Sequence, residues 1–168
     1  MPLLKDGKVV EDTWTQLAED AGAVPEGNVI VTLEQWQDGR ERLRGHNGRL
    51  GLRLKSDQSP AQIAEDLEHF DLVALEFPRF GDGRAYSYAR LLRERYGFEG
   101  ELRAVGNVLR DQFVFMLRCG FDAFEVADDK AADAWRDAMA EFTQWYQPTG
   151  NSRASLGALR RGASHKAG

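Results

Sequence analysis

LVALEFPRFGDGRAYSYARLLRERYGFEGELRAVGNVLRDQFVFMLRCGFDAFEV, residues 72–126, is the stretch whose reading decides the fold. Three short apolar runs, at 72–77, 101–106 and 123–126, have the length and near-continuous hydrophobicity of strands buried on both faces. Helical spacing fills the gaps between them. From Tyr86 to Tyr96, Tyr88 and Leu92 stand four apart and Gly97 is placed to end the helix. From Val108 to Arg118, Leu109, Phe113, Met116 and Leu117 share one face, with Gly120 as the stop. The triplets His69-Phe70-Asp71, Gly97-Phe98-Glu99 and Gly120-Phe121-Asp122 each mark a handover from helix to strand, their phenylalanines 28 and 23 residues apart by number. That period suits a βα unit whose crossover makes neighbouring strands parallel.

Outward from this segment the alternation continues. NVIVTL (28–33) and LGLRL (50–54) are read as two more strands. Ser59-Pro60 followed by Gln62 gives an N-cap, a proline at the first helical position and a capping-box partner, before Ile63, Leu67 and Phe70 at helical spacing. A last helix is predicted from Asp128 or Asp129, with Trp135, Met139, Phe142 and Trp145 or Tyr146 on its buried stripe before Pro148. At the start, Asp6-Gly7 sits between short apolar runs as the turn of a small hairpin. The expected fold is therefore α/β: a mainly parallel sheet of about five strands with intervening helices, plus a small N-terminal hairpin. Strand order stays open between an open doubly wound sheet and a partial barrel.

Composition sets the outer limits. At 168 residues the chain suits one domain, with 42% apolar and 29% charged residues. A mean hydropathy of −0.51 without an ~18-residue apolar run argues against a membrane span. No basic start leads into an apolar segment, so a cytoplasmic location is expected. Residues 149–168 carry Arg153, Arg160, Arg161 and Lys166 and no acid, which leaves 18 basic against 27 acidic residues in 1–148. The expectation is an acidic α/β domain over 1–148 and a basic, disordered tail over 149–168. Phosphate contacts need clustered positive charge, so nucleic acid is not an expected partner.

In parallel α/β folds chemistry gathers at the carboxyl ends of strands. Two such loops are polar here. After 72–77 come Pro78-Arg79-Phe80-Gly81-Asp82-Gly83-Arg84 and then Ser87; after 101–106 come Asn107, Arg110, Asp111 and Gln112. Arg84 offers a planar fork suited to a carboxylate, phosphate, sulfate or sulfite, and the two glycines allow backbone close to a ligand. The candidate site comprises Asp82 and Asp111 as proton carriers, with Arg79, Arg84, Ser87, Asn107, Arg110 and Gln112 binding an anion. The competing reading makes Asp82 and Asn107 helix caps, with Asp82 paired to an arginine. Gly81 and Gly83 lack the third glycine of a dinucleotide fingerprint, and no phosphate-loop motif occurs, so no nucleotide cofactor is assigned. His46, His69 and His165 lack metal-ligand spacing, and no metal is assigned. Cys119 is read as a packed thiol near a helix C-terminus, and Arg90, Arg93, Glu94 and Arg95 as a solvated helix face.

Residues 77–126 resemble the signature region of a family of uncharacterised bacterial proteins encoded beside assimilatory sulfite reductase and often labelled oxidoreductases. The similarity extends more thinly over 1–148, through DGKVVEDTW and GRLGLRL. It implies a role in sulfate assimilation, with sulfite reductase as partner. One cysteine cannot supply the four thiolates of an iron–sulfur cluster, so the catalytic subunit is excluded. What remains is an accessory protein that binds the reductase, supplies it, or handles an oxyanion at the Arg84 loop. The alternatives are an autonomous enzyme acting on an anionic metabolite and a non-catalytic adaptor.

Overall fold

A computed structural model describes residues 2–6, 8–20, 22–78, 82–108 and 110–145. The boundary drawn at residue 148 and the basic tail lie outside the described residues. Eight strands form one sheet: β1 (Leu3–Lys5), β2 (Lys8–Val10), β3 (Trp14–Gln16), β4 (Asn28–Thr32), β5 (Leu50–Leu54), β6 (Leu72–Phe77), β7 (Glu101–Gly106) and β8 (Ala123–Glu125). Their spatial order is β2-β1-β8-β7-β6-β5-β4-β3. From β3 to β8 every pairing is parallel, and only β1 runs antiparallel to its neighbours β2 and β8.

This order settles the choice that the sequence left open. From β3 to β8 each new strand is laid on the same side of the last, so the chain never reverses direction across the sheet. Right-handed crossovers that all advance one way put their helices on a single face, whereas a doubly wound sheet needs a reversal. The result is a curled half-barrel. Its curl follows from the chain itself. β2 and β3 occupy opposite edges, which in a flat eight-stranded sheet would lie about 33 Å apart. Only residues 11–13 join them, a link of at most about 14 Å between the flanking Cα atoms. The two edges must therefore approach each other.

The helices cover the outer face. Helix α1 (Leu33–Arg44) follows β4 directly and begins with a complete capping box: Thr32 Oγ1 accepts from Gln35 N and Gln35 Oε1 accepts from Thr32 N. Its Trp36 is fully buried, edge-on to Phe70, with Nε1 donating to Asp66 at 3.0 Å. Arg40 adds an ion pair to Asp66 at 3.2 Å, which compensates the burial of that carboxylate. Residues Pro60–His69 form a 3₁₀ helix, where the sequence pattern indicates an α-helix; Ser59 caps it by accepting from Ala61 N. Helix α2 (Arg84–Arg90) continues as a π turn over Leu91–Arg95, α3 spans Phe113–Cys119 and α4 spans Asp129–Trp145. Asp128 caps α4 by accepting from Ala131 N at 2.7 Å.

Four sequence expectations need correction. The sheet has eight strands instead of about five, because β3 is too short to show a pattern and the N-terminal hairpin joins the main sheet through β1–β8. Helix α1 went unread, since Gly39 breaks its propensity and non-helical backbone interrupts it there. Residues 110–112 form a 3₁₀ turn and α3 starts at Phe113 with Gln112 at its N-cap, so Asn107 does not cap it. Arg93 is not solvated: its side chain, 10% exposed, donates to the carbonyls of Phe98, Gly100 and Gly120 and pairs with Asp122 at 2.9 Å. It thus ties the π turn to the starts of β7 and β8.

The three phenylalanine triplets do mark handovers. Phe70, Phe98 and Phe121 are buried in the outer core just ahead of β6, β7 and β8, after turns in which Gly97 and Gly120 take φ of +64° and +116°. Only glycine occupies that backbone region without strain.

Candidate functional site

Asp82 and Arg84 meet at the carboxyl end of β6. Asp82 Oδ1 accepts from the backbone N of Arg84 at 3.0 Å, which orients the first turn of α2. The same carboxylate takes Nε of Arg84 at 3.0 Å and Nη2 at 2.6 Å, a bidentate pair. These bonds from Arg84 hold the Asp82 carboxyl down at about 2 and push the guanidinium further up. Arg84 is 54% exposed and Asp82 20%, so the pair stands at an open rim. Its fork is largely engaged, and an arriving anion meets Nη1 or competes with Asp82.

After β7 the chain turns back over the end of β6. Gly106 takes φ +86°, where a Cβ would lie 2.6 Å from the Phe77 carbonyl oxygen, and Asn107 N donates to that oxygen at 2.7 Å. Asn107, Asp111 and Gln112 are exposed, as is Ser87 on α2. Arg79 lies outside the described residues, and of Arg110 only the backbone is described. What joins the two loops is aromatic: Phe77 meets Tyr86 at 5.0 Å, and Tyr86 meets Phe115 of α3 at 4.7 Å. The rings hold α2 beside α3 and so fix the two polar rims as neighbours.

A second polar region occupies the inner face of the half-barrel. Where the outer face carries Val29, Val31, Leu52, Val73, Leu75, Leu102 and Phe124, the inner face carries Arg53, Glu76, Glu101, Arg103 and Glu125. The strands are therefore not apolar on both faces. Arg103 is 1% exposed and engaged through all three of its side-chain nitrogens. Its Nε and Nη2 engage Glu101 at 3.1 and 3.0 Å, and its Nη1 engages Asp12 at 2.9 Å. Lys5 also pairs with Glu101, at 2.9 Å. Asp12 lies on the short link between β2 and β3, so this ion pair pins the strap that joins the two edges of the sheet. Above the apolar patch of Ile30, Leu72, Ala74, Val105 and Trp14, a cavity of about 240 Å³ remains open. The sequence carried part of its signal: Glu101 and Arg103 stand two apart in 101–106, the strand period of two, while 50–54, 72–77 and 123–126 hold one charge each.

Elsewhere the two described histidines are engaged locally, and His165 lies outside the described residues. His46 Nε2 lies 2.7 Å from the Gly27 carbonyl oxygen, and the His69 ring stands 5.8 Å from that of Trp36. Among the described residues no group of three or more His, Cys, Asp or Glu side chains is arranged to hold a metal ion. Cys119 is buried, and that burial pushes its thiol up. No helix among the described residues is long and apolar enough to cross a membrane.

The model of a family described as "Bacterial protein of unknown function (DUF934)" matches residues 51–156. The chain belongs to this family. The DUF934 match takes in β5 to β8 and the helices between them, hence both polar rims and most of the inner face; β1 to β4 precede it. No curated protein and no solved structure matches the chain.

Proposed function

We propose that this DUF934 protein is an accessory of assimilatory sulfite reduction that works beside the reductase and holds a small oxyanion at the Arg84 rim. The pathway comes from the resemblance of residues 77–126 to proteins encoded beside the reductase. The observation that supports the rim is the exposed guanidinium of Arg84, held rigidly by Asp82 at the carboxyl end of a central parallel strand. Holding fits this geometry better than proton transfer. A carboxyl with its pKa near 2 is ionised at neutral pH and is a weak base, far from the value at which general catalysis is efficient. The lone cysteine is buried, which supports an accessory over a cluster-bearing subunit.

An adaptor without a ligand is the second reading, favoured by the degree to which Asp82 already occupies the fork. Growth of a deletion strain on sulfate, sulfite or cysteine as sole sulfur source tests the pathway. Growth on cysteine alone, restored by wild type and not by stably expressed Arg84→Ala, is the expected result. Restoration by Arg84→Ala leaves the adaptor, and normal growth of the deletion strain on all three sources overturns the pathway assignment under those conditions.

A further inference from the structure

The cavity on the inner face has a positive pole, a negative pole and an aromatic wall. Arg53 reaches it from β5 and spends only its Nε, on Glu76 at 3.4 Å; among the described residues its Nη atoms have no partner. Glu125 reaches it from β8, and its carboxylate has neither hydrogen bond nor ion pair there. Arg103, by contrast, has all three side-chain nitrogens engaged and serves as a fixed floor.

The register leaves space between the two poles. Arg53 stands opposite Ala74, Ala74 opposite Arg103, and Arg103 opposite Ala123, so the row from Arg53 to β8 holds two alanines and the Arg103 side chain, with Glu125 two residues further along β8. Three strand spacings and a two-residue offset amount to about 16 Å in a flat sheet. Curling and the reach of two long side chains shorten that gap to the scale of a small molecule. Trp14, Ile30 and Val105 supply apolar walls.

Charge narrows the ligand class. Asp12 and Glu125 balance Arg53 and Arg103 in the lining, and the pairs behind it add Glu76 and Glu101 against Lys5, so the cavity carries no net positive charge. Such a field disfavours a bare dianion. The Nη atoms of Arg53 and the carboxylate of Glu125, on opposite walls, match a molecule that carries both charges. About 240 Å³ lies below the usual range of ligand pockets, which restricts that molecule to a small one.

We propose that the inner face of the half-barrel binds a free α-amino acid, its carboxylate on Arg53 and its ammonium on Glu125. The site is separate from the Arg84 rim and stands or falls without it. The test is calorimetric titration of the full chain with each of the twenty standard L-α-amino acids, and with propionate, propylamine and sulfite. At least one amino acid is expected to bind, with propionate and propylamine more than tenfold weaker. Glu125→Gln breaks no contact with the described residues, so it should fold normally and weaken binding more than tenfold, as should Arg53→Gln. Binding by no amino acid overturns the proposal, and so does amino-acid binding that both variants retain. Sulfite binding that needs Arg53 and ignores Glu125 also overturns it and assigns the cavity to an oxyanion.

Discussion

The two faces of one sheet solve opposite problems with the same strands. On the outer face, Leu52, Leu75 and Leu102 are 0–1% exposed beneath helices that the one-way winding places there. On the inner face no helix arrives among the described residues; there Arg53 pairs with Glu76, and Arg103 with Glu101 and with the strap at Asp12, while Glu125 is left over. Area removed from water stabilises the first face. The second stands on geometry, because a buried ion pair repays its desolvation only when its hydrogen bonds are complete.

That contrast can be broken from either side. The largest effect is expected for Leu52→Ala on the outer face, a loss of about 3–4 kcal/mol in urea unfolding, since a fully buried leucine leaves a cavity in a central strand. Arg103→Met comes next, at about 2–3 kcal/mol, because Asp12 and Glu101 lose their shared partner. Adding Asp12→Asn should recover part of that loss, and a double variant no more stable than the single one would remove the strap pair from the account. Gly51→Ala is expected to cost about 1 kcal/mol, as its Cβ would meet Leu72, Ile30 and Trp14 at 3.1–3.2 Å on the inner face.

Asp82→Asn should give the smallest effect, and one that depends on pH. The folded carboxyl sits at about 2, against 3.8 for the free group, so its contribution is present above about pH 4 and is lost as the pH falls toward 2. The difference between wild type and variant in acid-unfolding curves should therefore close over that interval. Asparagine keeps an oxygen that accepts from Arg84 N, so a difference that persists at pH 2 would mean that the charge of Asp82 is not what stabilises the rim.

How much was legible in the sequence follows the same division. The central strands and the helices between them were legible because burial on the outer face repeats at short range, and Phe70, Phe98 and Phe121 punctuate it. Strand β3 was not, since three residues carry no period, and α1 was hidden by Gly39. A pairing of Asp82 with an arginine was legible in the sequence, and Arg84, two residues on, supplies it. The inner network was missed because each strand carries only one or two of its charges, and Arg103 and Asp12 are 91 residues apart in sequence.

By itself, then, the sequence determined the α/β alternation, the parallel core and the polar rims after β6 and β7, all of which depend on neighbours along the chain. The tertiary structure alone decided that the sheet winds one way, curls and brings β2 and β3 together. Strand order and curl arise from pairings between distant segments, and no local periodicity encodes them.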